Sequence, residues 1–279
     1  MLTFQYKKGP FKIIESIGKD DGFDQSVPKA DVLIKFDLVL SAPEAPIVSH
    51  KDSFELNIPN FLIDLTKGED EIYRKIHKST RADIRKAAEV NNFMYIEKEH
   101  PTDEQIREFS LMFNSFAEEK KLPLCNIKKL HAIRNNHSLM LTSVRDEQNN
   151  ILCASMLMMD RECKQLYGLY GVSARLSKTT QKERVLIGRA NKYLQWKEIQ
   201  SAKKRGLDWY NFGGEVNQKE DQGVNDFKRR FGTISGYDRR IYIPKSIRGN
   251  ICCYLLYLKW KSKMDKGEKY DTERSFEKE

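Results

Sequence analysis

The segment from residue 138 to 212 constrains the fold more than any other part of the chain. Residues 138–145 carry the apolar, β-branched pattern of a strand, EQNN at 147–150 is a turn, and residues 151–159 read as the returning strand of a hairpin. A third strand is expected over 165–172, then a polar loop over 173–183 and a helix from about residue 186 to 204. Gly206 stands where a helix-ending glycine belongs, and residues 207–212 form the strand after it. The order is therefore β-β-β-α-β, an antiparallel meander feeding a crossover. It predicts an α+β protein whose mixed, mostly antiparallel sheet is flanked by helices.

Upstream, residues 11–14, 31–40 and 61–65 are strand candidates. They are separated by breaks at 20–22 and 41–46, and the last is entered through Pro59. One long helix is expected over 69–89, with Ile72, Ile76, Ile84 and Ala87 on its buried side, followed by a strand at 93–96. A helix starting near Thr102, with Gln105 as capping-box partner, would bury Ile106, Phe109, Phe113 and Phe116. A shorter one covers 127–133. Residues 239–243 are the last expected strand. The apolar run 251–258 follows, flanked by Arg248 and by Lys259, Lys261, Lys263 and Lys266, and beyond it the chain is polar and expected to fray. The domain reading is a reduced β-rich subdomain at 1–58, the main domain at 59–245, and a basic C-terminal helix and tail at 246–279.

Composition removes several function classes. With 279 residues, 39% apolar and 32% charged, the chain can bury a large core under a densely charged surface. No apolar stretch reaches the ~20 residues that span a bilayer, and the N-terminus lacks a signal-peptide run, so a cytoplasmic protein is expected. The five cysteines form no C-x-x-C pair and the five histidines no metal-ligand spacing, so neither a disulfide framework nor a metal centre is expected. The net charge of +9 favours anionic partners such as RNA, nucleotides or lipid headgroups, although a lysine-rich surface also occurs without one.

Three local patterns sharpen the fold reading. DLTKGED at 64–70 is followed by KSTRADIRKAAE at 78–89; Leu194, Gln195 and Trp196 recur with Ile199 and Ala202; WYNFGG at 209–214 precedes GVNDFKRRFG at 223–232. Taken in order, these resemble the Fem-type (FemABX-like) aminoacyltransferases that build peptidoglycan bridges, members of the GNAT superfamily of acyltransferases. The resemblance covers about residues 61–243 and implies a GNAT-like fold and an N-acyltransferase. Such an enzyme would hold no permanent cofactor and would take aminoacyl-tRNA or acyl-CoA as co-substrate. Its acceptor would be a small-molecule or lipid-linked amine on a cell-envelope precursor. Asn211 stands where the family often has Asp.

The resemblance also assigns residues. Lys228 becomes the first candidate for stabilising a transition state or a phosphate, in a cleft between donor and acceptor, with Phe227 beside it. The alternative is that Phe227 and Phe231 are helix core anchors whose neighbouring charges face water. The YGLYG strand at 167–171, which includes Tyr170, would present backbone N–H groups to the scissile carbonyl, its glycines permitting a bulge; an ordinary strand is the alternative. Asn211, Gly213, Gly214 and Trp196 are placed at the substrate. Gly188 and Arg189 sit in VLIGRA at 185–190, a degenerate version of the pyrophosphate loop that acyl-CoA enzymes of this fold carry before a helix. From the residues themselves, Arg74, Lys78, Arg81 and Arg85 recur at helical spacing and offer either a basic track for tRNA or a solvated face. Glu215 is the one acid placed near the cleft, read as a general base or as a surface glutamate. The run 251–258 is read either as a helix packed on the body or as a contact to an anionic membrane. A non-catalytic RNA- or membrane-binding protein on a transferase-like fold is the competing function.

Overall fold

The computed structural model describes residues 2–18, 29–43, 45–175, 180–215 and 222–265; the expected break at 20–22, Lys266 and the polar tail lie outside these. The chain divides into two compact units. One gathers residues 1–62, 212–229 and 233–279, and the other residues 63–211 and 230–232.

In the first unit the strands are β1 (Leu2–Lys8), β2 (Phe11–Ile17), β3 (Val32–Val39), β4 (Ile47–His50), β5 (Ser53–Asp64) and, from the far end of the chain, β11 (Ile234–Pro244). Their order is β1-β2-β3-β11-β5, with β4 on β5, so β11 is inserted between strands nearly 200 residues away in sequence. β2 pairs with β3 in parallel and the other pairs are antiparallel. β5 begins eight residues earlier than expected and runs through Pro59. A proline is tolerated here because its carbonyl accepts from the Glu215 backbone N–H at 2.6 Å, on the side away from the β11 ladder, so the missing donor is not one that ladder uses. Helix α7 (Ile247–Asp265) packs on β11 and β3.

In the second unit β7 (Leu139–Arg145), β8 (Ile151–Asp160) and β9 (Gln165–Ser173) form the expected meander, β6 (Met94–Glu99) adds to it along β7, and β10 (Trp209–Gly214) joins β9 in parallel after helix α5 (Gln181–Lys204). The α+β, GNAT-like order read from the sequence is thus the observed one. Strand alternation divides the faces. Thr142 and Ser155 reach the carboxylate of Glu198 on α5, and Val144, Cys153, Ile187, Ala190 and Leu194 form one core cluster, so these positions face α5. The alternate residues Leu141, Ser143 and Ala154 line a groove with Phe109 and Met112 of α3 (Asp103–Glu119) on the opposite face. The capping box at Thr102 is formed with both of its hydrogen bonds, and Ile106, Phe109 and Phe113 are buried. Helix α4 (Ile127–Asn135) follows.

The long helix expected over 69–89 is two helices, α1 (Glu69–Lys75) and α2 (Lys78–Glu89). Ile76 is extended, and His77 caps α2 through its ring nitrogen while its N–H donates to the Arg230 carbonyl. The apolar residues Ile72, Ile76, Ile84 and Ala87 are buried as read, on either side of this two-residue break.

Candidate active site

In the first unit, helix α6 (Gln222–Arg229) brings Lys228 back over the end of β10. Its ammonium donates to the carbonyls of Gly213 (3.3 Å) and Gly214 (2.7 Å). Gly213 lies at φ +79°, a conformation that favours glycine, and a Cβ on Gly214 would stand 2.9 Å from Ile58 Cγ2. The two glycines therefore allow consecutive carbonyls to turn toward one cation. Below the ammonium lies the ring of Phe61 from β5, its centroid 5.6 Å away, and the Arg229 guanidinium sits 5.4 Å from the same ring.

Two carboxylates set the field at this lysine. Asp238 on β11 is fully buried and accepts from Asn60 Nδ2 at 2.6 Å. Glu215 accepts from Arg229 at 2.8 Å and from Asn225 at 3.4 Å, with a side chain only 10% exposed. Burial lowers the Lys228 pKa from lysine's usual 10.5 to about 8, against the pull of Asp238 and Glu215, which favours the charged form. The site thus holds a partly desolvated ammonium that is still mostly protonated at neutral pH, the state suited to meeting a developing oxyanion or a phosphate.

Several expectations are corrected by this geometry. Glu215 is no surface glutamate: it is held in an ion pair against the helix that carries Lys228. The aromatic ring beside Lys228 is Phe61, while Phe227 is half-buried on α6 and Phe231 lies past the end of that helix, fully buried in the second unit. Phe61 and Asp238 were missed as site residues because each is brought in by a strand from a distant part of the chain, and neither carries a local signal.

The remaining candidates belong to the second unit. In β9 the expected bulge is present: Met156 pairs with Tyr170 and Leu157 with Gly168, leaving Leu169 as the extra residue. The parallel ladder from β9 to β10 covers three residue pairs and ends at Tyr167. The Tyr170 hydroxyl accepts from the Asn126 backbone N–H at 3.2 Å, and its ring meets Phe113 edge-on at 4.9 Å. Asn211 is buried and donates to Gln165 at 3.3 Å, an arrangement internal to the sheet. Trp196 is buried against Tyr73, centroids 5.0 Å apart, and is packed as a core residue.

Gly188 and Arg189 do not form a loop. α5 begins at Gln181, so both lie inside the helix, where their N–H groups are committed to the helical ladder. Arg189 instead pairs with Asp83 and donates to Asn91 at 3.0 Å, and Lys192 joins Asp83 at 2.6 Å. The basic stripe is likewise interrupted. Arg74 is on α1, whereas Lys78, Arg81 and Arg85 are on α2, and Arg81 turns back to donate to the Arg74 carbonyl at 2.6 Å.

One buried acid in this unit was not anticipated. Glu198 accepts from Thr142 and from Tyr210 (2.5 Å), and burial raises its pKa to about 7. Its signal was available: residues 194, 198 and 202 share one side of α5, and Leu194 and Ala202 are core.

Comparison with known proteins bears on the family and the fold. The model of the FemAB family matches residues 189–235, from within α5 to the start of β11. FemX shares the fold, with a TM-score of 0.53 and 14% identity over 84% of this chain and 83% of FemX. L-PGS from Bacillus licheniformis is a weaker likeness, with a TM-score of 0.45 and 14% identity over 77% of this chain and 68% of that protein. No curated protein matches the chain in sequence. The segment that carries Lys228 is the segment that the family model recognises, and the chain resembles the Fem-type acyltransferases of the GNAT superfamily there in sequence and over most of its length in fold.

Proposed function

We propose that the protein is an N-acyltransferase that moves an aminoacyl or acyl group onto an amino group of a cell-envelope precursor, either a peptidoglycan stem peptide or an amino sugar. The observation that carries this reading is the Lys228 constellation: a partly buried ammonium, oriented by two glycine carbonyls, within the segment matched by the FemAB model. In the reaction the acceptor nitrogen forms a C–N bond to the donor carbonyl. The C–O or C–S bond to the donor breaks, and the proton lost by nitrogen passes to the leaving oxygen or sulfur. Lys228 would offset the negative charge that builds on the carbonyl oxygen, or on a nearby phosphate, as this happens.

The donor we favour is aminoacyl-tRNA. Acyl-CoA enzymes of this fold seat a pyrophosphate on free N–H groups at a helix N-terminus. At the start of α5, the Glu183 N–H is taken by the Thr180 side chain, and the Glu183 carboxylate folds back over Thr180. A carboxylate there opposes a pyrophosphate seated at this helix start, which weighs against acyl-CoA as the donor. Screening charged tRNAs and acetyl-CoA by mass spectrometry, with amino-sugar and stem-peptide acceptors, tests the proposal. Transfer from acetyl-CoA with none from any charged tRNA would overturn the choice of donor.

A further inference from the structure

Helix α7 is apolar on more sides than its packing uses. Gly249, Cys253, Leu256, Tyr257 and Trp260 recur at helical spacing on the side turned to β11 and β3: Gly249 lies against the Asp31 carbonyl, Cys253 is buried, and Tyr257 meets Phe54 edge-on at 5.9 Å. The opposite side carries Ile247, Ile251, Tyr254 and Leu255, each 58–82% exposed, and Leu258 at 41%. At about 100° per residue these five fall within an arc of about 100°, a single stripe about 16 Å long. Scattered apolar residues on a surface need no explanation, but a continuous stripe of five large ones does.

Charge identifies what covers it. On the helical wheel Lys261 borders the stripe on one side, and Arg248 and Lys259 border it on the other. Up to Asp265 the helix has no acidic residue. The β1–β2 turn adds exposed Lys7, Lys8 and Lys12 beside the same end: Arg248 donates to the Pro10 carbonyl at 3.0 Å, and the charge of Lys8 is felt at Cys252. Among the described residues, Asp31 is the carboxylate at that end, and it is engaged by the Lys12 backbone N–H and the Ser246 hydroxyl. Two copies of this stripe facing each other would bring their bordering cations together along the length of the helix, where Asp265 at its last position is the single carboxylate. A bilayer rich in anionic headgroups offers both an apolar layer for the stripe and charges for its borders. Among the described residues no helix is long and apolar enough to cross a membrane, so the contact is one of lying on the surface.

We propose that the outer face of α7, together with the Lys7–Lys12 turn, docks the protein on an anionic lipid surface. The inference does not depend on the transferase reading, and its test uses neither donor nor acceptor, so either can fail alone. The full chain is sedimented with vesicles of phosphatidylcholine alone and of phosphatidylcholine with about 30% phosphatidylglycerol, at low and high salt. Binding to the anionic vesicles only, weakened by salt, is expected. Ile251→Ser with Leu255→Ser should reduce binding by more than tenfold. Lys259→Gln with Lys261→Gln, which leaves the apolar stripe and the packed face intact, should reduce it about fivefold per cation removed. Absence of binding to anionic vesicles, equal binding to both compositions, or unchanged binding by either variant overturns the proposal. So does a dimer in sedimentation velocity that the Ile251→Ser, Leu255→Ser variant dissociates, since a second copy would then be the occupant.

Discussion

Replacing Lys228 with Met separates a chemical role for this residue from a structural one. The fall of its pKa from 10.5 to about 8 means that the protein disfavours the ammonium by about 3 kcal/mol at most, since each pH unit is worth about 1.4 kcal/mol. Removing the charge returns that energy. It also strands the carbonyls of Gly213 and Gly214, at a cost of about 1–3 kcal/mol. The two effects nearly cancel, so the melting temperature of Lys228→Met should lie within about 4 °C of the parent. Activity should behave differently: loss of one preorganised electrostatic stabiliser costs about 100- to 1,000-fold in kcat. The pH profile supplies a second test. A lysine is a cation below its pKa, so a reaction that needs the charge runs below about 8 and falls as pH rises through that value. Lys228→Arg stays charged throughout and should move that fall upward by more than a pH unit. Steady-state turnover with the donor found by screening, alongside thermal unfolding, reads all of this. A stable Lys228→Met protein that keeps more than a tenth of parental kcat would refute the reasoning, and so would a fall near pH 8 that persists in Lys228→Arg.

Two further outcomes follow from the second unit and from α7. Glu198 has a folded pKa raised to about 7, so the folded state binds more protons than the unfolded state between about 4.5 and 7, and stability should decline by about 2–3 kcal/mol as pH rises through that window. Glu198→Gln should flatten this slope in urea unfolding, and an unchanged slope would contradict it. A Cβ at residue 249 would collide with the Asp31 carbonyl oxygen, so Gly249→Ala should cost about 3 kcal/mol or more by lifting the start of α7 off the sheet; a loss under about 1 kcal/mol in the same assay would show the contact to be slack.

The meander and α5 were legible in the sequence because their signals are local: apolar alternation, a capping box at Thr102, and Gly206 at φ +72° after the helix. The break at Ile76 and His77 was not, since a helical period continues across it and the cause lies far away. The Arg230 carbonyl takes the His77 N–H, and Gly232 at φ +72° leaves room for Lys75, whose carbonyl oxygen would be 2.7 Å from a Cβ there. The same limit applies to the site. Lys228 and Glu215 were found through a motif, but Phe61, Asn60 and Asp238 reach it only through the pairing of β5 with β11, which no short-range pattern encodes. The pyrophosphate reading at Gly188 failed for a simpler reason: the helix starts about five residues earlier than its apolar period suggests, because Thr180 and Glu183 cap it.

The place of β11 between β3 and β5 has a consequence for biosynthesis. When the ribosome has finished β5 at Asp64, the strand that will join it to β3 is still about 170 residues from being made, which at ~5–20 residues per second is a delay of roughly 10–30 s. During that interval both flanking strands present unsatisfied backbone edges, the kind of surface that recruits other nascent chains. The meander of the second unit needs no such late arrival. The expected order of assembly therefore departs from the direction of synthesis, with the meander structured before β3 and β5 are joined through β11.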